Sequence, residues 1–162
     1  SLIAEVLVSQ ERHEIIELYQ LMAIRVKVLA VERTLAEKIM GLVRACREVD
    51  PVNALHQKIR HVYDICMILR EERYKMFLVS DAFTDMIKTV MDADRLQFSD
   101  AGIWLDQPLG EALLFSDPTI YWPTLAVAFN GSFADMLYDD DLPNNEEVVA
   151  VFSQIGQRLA SL

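Results

Sequence analysis

The sequence predicts a mainly α protein, a helical bundle with one or two short β-strands at its N-terminal end. Three observations predict it. Apolar residues recur at helical spacings of three and four through most of the chain beyond residue 34. A single segment, Ile24 to Val31, alternates as a half-buried strand does, with Ile24, Val26 and Val28 set against Arg25 and Lys27. The composition, 52% hydrophobic and 25% charged over 162 residues, is that of a globular chain with length enough for a real core.

The elements follow in order. Glu11 to Leu21 reads as a short helix with Ile15, Leu18 and Tyr19 on one side. The strand comes next, and since a lone strand leaves its edges unsatisfied, residues 2–8 or strands outside these 162 residues must pair with it. Thr34 and Glu37 have the spacing of a capping box and should open a helix whose inner stripe is Leu35, Ile39, Leu42, Val43 and Cys46. Asp50-Pro51 breaks the chain. Asn53 to Leu69 is the clearest helix, with Leu55, Ile59, Val62, Cys66 and Leu69 inward. Glu71 to Leu78 extends the helical pattern, and Ser80 can cap a helix that buries Phe83, Ile87, Val90 and Met91. Residues 99–117 contain Gly102, Pro108 and Gly110 and read as a structured loop anchored by Trp104 and Phe115. Pro118 can open a helix carrying Leu125, Val127 and Phe129 inward. Pro143-Asn144 starts the last helix, with Val148, Val151, Phe152, Ile155 and Leu159 as its inner face.

Charge is distributed unevenly. The net charge is −10, but residues 1–75 carry 12 Lys+Arg against 11 Asp+Glu, and residues 76–162 carry 3 against 14. The total excludes a general nucleic-acid binder. The split directs any anion-binding chemistry to the first half. Cys46 and Cys66 sit in apolar helical patterns and read as buried thiols of a reducing compartment. The start has no basic region of a secretory signal, and no apolar run approaches the roughly 20 residues of a membrane span. The expected location is the cytoplasm, away from any membrane.

Few residues carry chemistry by pattern. His56, His61 and Cys66 resemble a metal-ligand set in type, but steps of five turn a helix by about 140° and the three do not converge. The acid run Asp139-Asp140-Asp141 reads as a solvated loop, so no metal site is expected. The segment Lys58 to Asp64 is more informative. Arg60 and Asp64 are i, i+4, His61 and Asp64 are i, i+3, and Lys58 flanks them. Such a basic cluster with one carboxylate can hold a polyphosphate, while a surface ion-pair lattice is the competing explanation. Lys38 stands off the apolar stripe of the preceding helix.

Two motifs, Val28-Leu-Ala-Val-Glu-Arg-Thr-Leu-Ala-Glu-Lys-Ile-Met-Gly-Leu-Val-Arg44 and Lys58-Ile-Arg-His-Val-Tyr-Asp-Ile65, together resemble the nucleotidyltransferase toxins of the AbiEii/AbiGii family. Glu111 to Asp117 and the Asn-Gly-Ser-Phe run at 130–133 extend the resemblance over nearly the whole chain. The resemblance implies a polymerase-β-type nucleotidyltransferase, bacterial and tied to abortive infection, paired with a cognate antitoxin. Such an enzyme transfers a nucleoside monophosphate from an NTP to an acceptor, with tRNA as one such acceptor. It also implies two catalytic positions, Lys38 meeting the triphosphate and Asp64 on the following helix, with Lys58, Arg60 and His61 as nucleotide or phosphate contacts. Mg²⁺ and NTP would serve the full-length enzyme.

The family's Gly-rich motif and its acidic metal-binding pair are both missing from this sequence, and Asp92 and Asp94 lie downstream of where such a pair belongs. The expectation is therefore a carboxy-terminal part: residues 1–31 the end of the nucleotidyltransferase α/β domain, with a helix and its last strand, and residues 32–162 a helical domain. Taken alone, this part should bind no cofactor, catalyse no transfer, and self-associate through its exposed strand. The alternative is a non-catalytic helical interaction module whose acidic half is the partner surface.

Overall fold

The structure, a computed structural model, describes residues 6, 8–19, 28–137 and 141–162. Ten α-helices account for most of these: α1 (His13–Leu18), α2 (Val31–Ala45), α3 (Pro51–Gln57), α4 (Ile59–Leu69), α5 (Glu72–Val79), α6 (Asp81–Gln97), α7 (Ala101–Leu105), α8 (Leu113–Ser116), α9 (Pro118–Ala128) and α10 (Asn145–Ala160). A 3₁₀ turn at Leu109–Glu111 and a π-turn with a 3₁₀ turn at 129–136 join them.

One core runs through α2 to α10. Leu35, Ile39 and Leu42 of α2 are sealed against Val62, Ile65 and Cys66 of α4 and Phe83, Ile87 and Val90 of α6. Phe152 and Ile155 of α10 close it with Phe115, Trp122 and Phe129. Most inner positions read from the spacing of α2, α4, α6 and α10 are buried, because that stripe is the one surface each helix can hide, while Ile59, Met91 and Val151 are partly buried at its margin. Trp104 and Phe115 are buried as expected, although 99–117 is folded into short helical turns.

Several expectations need correction. No strand occurs among the described residues. Val28 to Ala30 form none, and Val31 is already helical, while residues 24–27 and the suggested partner residues 2–5 and 7 lie outside those described. The helix starts three residues before the supposed capping box: Ala30 is the N-cap, Thr34 Oγ1 donates back to the Ala30 carbonyl at 3.1 Å, and Glu37 pairs with Arg33 at 2.9 Å. Both polar groups of the box thus serve the interior of the first turns.

The single helix expected over Asn53–Leu69 is two. Asp50 caps α3 by accepting from the Asn53 NH, with Pro51 in the first turn, so Asp50-Pro51 begins a helix instead of only ending one. Lys58, at φ −106° and ψ 13°, separates α3 from α4. In α1 the buried residue is Ile16, with Leu18 and Tyr19 exposed. Val127 is exposed on α9, whose sequence is apolar on every side and gives no period to read.

Two glycines and two arginines fix the packing. Gly156 on α10 lies against the Phe115 carbonyl so closely that a Cβ would overlap its oxygen. Gly41 on α2 leaves room for the His61 ring, 3.4 Å from where a Cβ would stand. Arg158 of α10 donates to the Leu78 and Ser80 carbonyls and to Thr84 Oγ1, satisfying the acceptors between α5 and α6. Arg70 makes a two-pronged pair with Glu147 at 2.7 and 2.9 Å and meets Asp141 at 2.7 Å, tying the end of α4 to the start of α10. Asp141, the described member of the acid run, is exposed as a solvated loop should be and is also paired with Arg70; Asp139 and Asp140 lie outside the described residues.

Candidate functional site

Lys38 leaves α2 beside its apolar stripe and crosses to α4. Its Nζ donates to Asp64 Oδ2 at 2.6 Å, with the two side chains 20% and 23% exposed. The pair is close because α2 and α4 pack along Leu35, Ile39, Val62 and Ile65, which places the flanking positions of both helices face to face. Arg60, one turn before Asp64, brings its Nε to 3.9 Å of the same oxygen and is itself 81% exposed. One carboxylate thus faces two cations, one half-buried and one free to reach outward.

His61 lies one step further round α4, over Gly41. Its Nδ1 is buried with no hydrogen-bond partner. Burial, then the neighbouring cations Lys38 and Lys58, push its pKa down to about 4, so the ring is neutral at pH 7. Lys58 and His61 both line a cavity of about 230 Å³ between α2, α4 and α6, which Arg33, Arg44 and Asp94 also face. Arg44 lies over the Phe98 ring at 3.8 Å. The Asp94 carboxyl titrates above its ordinary value because it is partly buried, against the pull of Arg44.

Of the five residues singled out by sequence, Lys38, Arg60 and Asp64 meet directly, and Lys58 and His61 stand at the adjoining cavity. His56 is elsewhere, its Nε2 3.3 Å from the Thr124 carbonyl oxygen. Cys66 and Cys46 are buried in the core, which lifts their thiols to about 12 and about 11 and keeps them protonated. Arg33 and Arg44 are not singled out by the sequence as site residues, and Asp94 figures there only as a misplaced metal ligand. Arg33, Glu37, Gly41 and Arg44 recur at steps of four, four and three, a second stripe on α2 that could have revealed the cavity wall.

The donor set does not suit Mg²⁺. Among the described residues no three His, Cys, Asp or Glu side chains converge. Asp64 is committed to Lys38, and Glu37 to Arg33. Lys38, Lys58, Arg60 and Arg44 make the face rich in cations.

The family model for the nucleotidyl transferase AbiEii toxin of type IV toxin–antitoxin systems matches residues 2–151. The chain belongs to the AbiEii toxin family. No match is found among curated proteins or among solved structures. Membership makes this a nucleotidyltransferase-type toxin domain whose family is paired with antitoxins, and among its described residues no helix is long and apolar enough to cross a membrane.

Proposed function

We propose that the chain supplies the triphosphate-binding half of a nucleotidyltransferase site, which transfers a nucleoside monophosphate from an NTP to an acceptor such as tRNA. The observation that carries this is the Lys38–Asp64 pair. An ammonium has three donors, and Asp64 takes one, which fixes the direction of the side chain and leaves two for phosphate oxygens. Lys38 and Arg60 together neutralise charge on the leaving pyrophosphate, and Asp64 is the positioning residue that holds Lys38 extended. Neutral His61 and cationic Lys58 and Arg44 line the cavity beside it, where a polar group of the nucleotide can enter.

In this proposal the residues described do not hold Mg²⁺, and the 162 residues alone transfer nothing. The test uses labelled NTPs with the full-length protein and with this chain. Transfer should require the full-length protein and should be lost in Lys38→Ala and in Asp64→Ala. Wild-type transfer by both variants would remove the site assignment, and incorporation by this chain alone would remove the division of labour.

A further inference from the structure

We infer that the groove between α9 and α10, on a part of the molecule separate from the Lys38–Asp64 face, docks a basic amphipathic helix of a partner protein. The groove has a volume of about 540 Å³ and is lined by Trp122, Pro123 and Ala126 of α9 and Asn145, Val149 and Ala150 of α10. Its floor is rigid. Trp122 Nε1 donates to Asn145 Oδ1 at 3.0 Å, and Asn130 Nδ2 donates to the same oxygen at 3.2 Å.

One wall continues outward as an apolar strip. Ile120 and Val127 are 65% and 81% exposed, with exposed Pro123 between them at helical spacing. Residues 118–128 contain no charged side chain. An uncharged, mostly apolar helix belongs in a core, yet α9 presents Ile120, Pro123 and Val127 to solvent beside Thr119 and Thr124, which is the pattern of a surface meant to be covered.

Charge decides what covers it. From Leu96 to Leu162 the sequence has ten Asp and Glu and one cation, Arg158, although Arg70 and Arg95 reach in from earlier helices to pair with Glu147, Asp141 and Asp106. Arg158 is spent on Leu78, Ser80 and Thr84. Glu146 stands exposed on the groove itself. An RNA or an anionic lipid surface would be repelled here. A protein helix with apolar residues at i, i+3 or i+4 and i+7 fills such a groove, and Lys or Arg on its flank meets Glu146 at its edge.

The experiment uses the 162-residue chain and a fluorescein-labelled synthetic peptide of about 18 residues, or five turns. The peptide carries Leu along one face and Lys on the others, and a twin has Glu in place of Lys. Anisotropy should show the Lys peptide binding at least about tenfold more tightly than the Glu twin, with the advantage shrinking as salt is raised. Ala150→Arg, at an exposed helix position, should weaken the Lys peptide about tenfold, and Ala126→Leu should do so by filling the groove. Circular dichroism verifies that both variants are folded. Equal binding of the twins, no binding of either, or binding indifferent to both substitutions overturns the inference. So does a wild-type dimer by sedimentation that Ala150→Arg turns into a monomer, which would make a second copy the occupant.

Discussion

The molecule joins its helices with two ion pairs of different construction. Arg70 is held at all three nitrogens: Nε and Nη2 are on Glu147, and Nη1 reaches Asp141. The carboxylates raise the Arg70 pKa above its ordinary value, mainly through the Glu147 hydrogen bond, and that same bond lowers Glu147. Lys38 has a single carboxylate, at 2.6 Å, that carboxylate also faces the exposed Arg60, and a cavity opens beside the pair. A cation held from several sides by two carboxylates ties elements together. One held by a single carboxylate keeps donors for a ligand. The shorter contact need not be the more structural one.

The sharpest way to break this contrast is activity. In the full-length protein Lys38→Ala should lower nucleotide transfer about a hundredfold or more, the loss seen when one transition-state donor is removed. Arg70→Ala should leave the rate per folded molecule within about threefold, well inside a tenfold step of 1.4 kcal/mol. Stability should show the opposite order. Arg70→Ala should cost about 1–2 kcal/mol in urea unfolding, since it leaves Glu147 and Asp141 unpaired at a partly covered junction. Lys38→Ala should cost under about 1 kcal/mol, as a singly contacted ion pair does. If the two substitutions were equal on both readouts, the distinction would be lost.

Acid separates the two sites more gently. His61 is held near 4 in the fold against 6.5 for a free imidazole, so the unfolded chain takes up the proton first. Stability should therefore decline as the pH falls from about 6.5 to about 4 and then cease to depend on this ring. Glu147 acts lower. Its contribution is full above the ordinary carboxylate range and is lost as the pH drops through its lowered value. Thermal melts of wild type and His61→Gln check this, and the variant should lack the decline above pH 4 while keeping the one below.

Helices with a two-sided pattern were legible in the sequence. Leu35, Ile39 and Leu42, then Val62 and Cys66, then Val148, Phe152 and Ile155 recur at the helical period because burial selects one stripe. Pro118 and Pro143-Asn144 also marked helix starts, and the structure adds Asp117 as the cap before Pro118. The misreadings have physical causes. Lys58 interrupts a perfect apolar stripe by backbone geometry alone. The apolar sequence of α9 hides which side faces water, and Thr34 can satisfy a carbonyl as well as an NH. At the site, Lys38 and Asp64 are 26 residues apart, and only the resemblance brought them together beforehand. Arg44 over Phe98 and the Arg70 junction depend on pairings between distant elements, which no local period encodes.

Gly156 has one further consequence. The last helix meets the 113–116 turn backbone to backbone, and Arg158, two residues on, threads three acceptors between α5 and α6. Loosely packed helices open locally, and their amides exchange with solvent early. This helix has no slack in which to slide or lift. Amides around Phe152 and Ile155 should take up deuterium only when the whole array opens, making α10 one of the slowest-exchanging elements of the molecule.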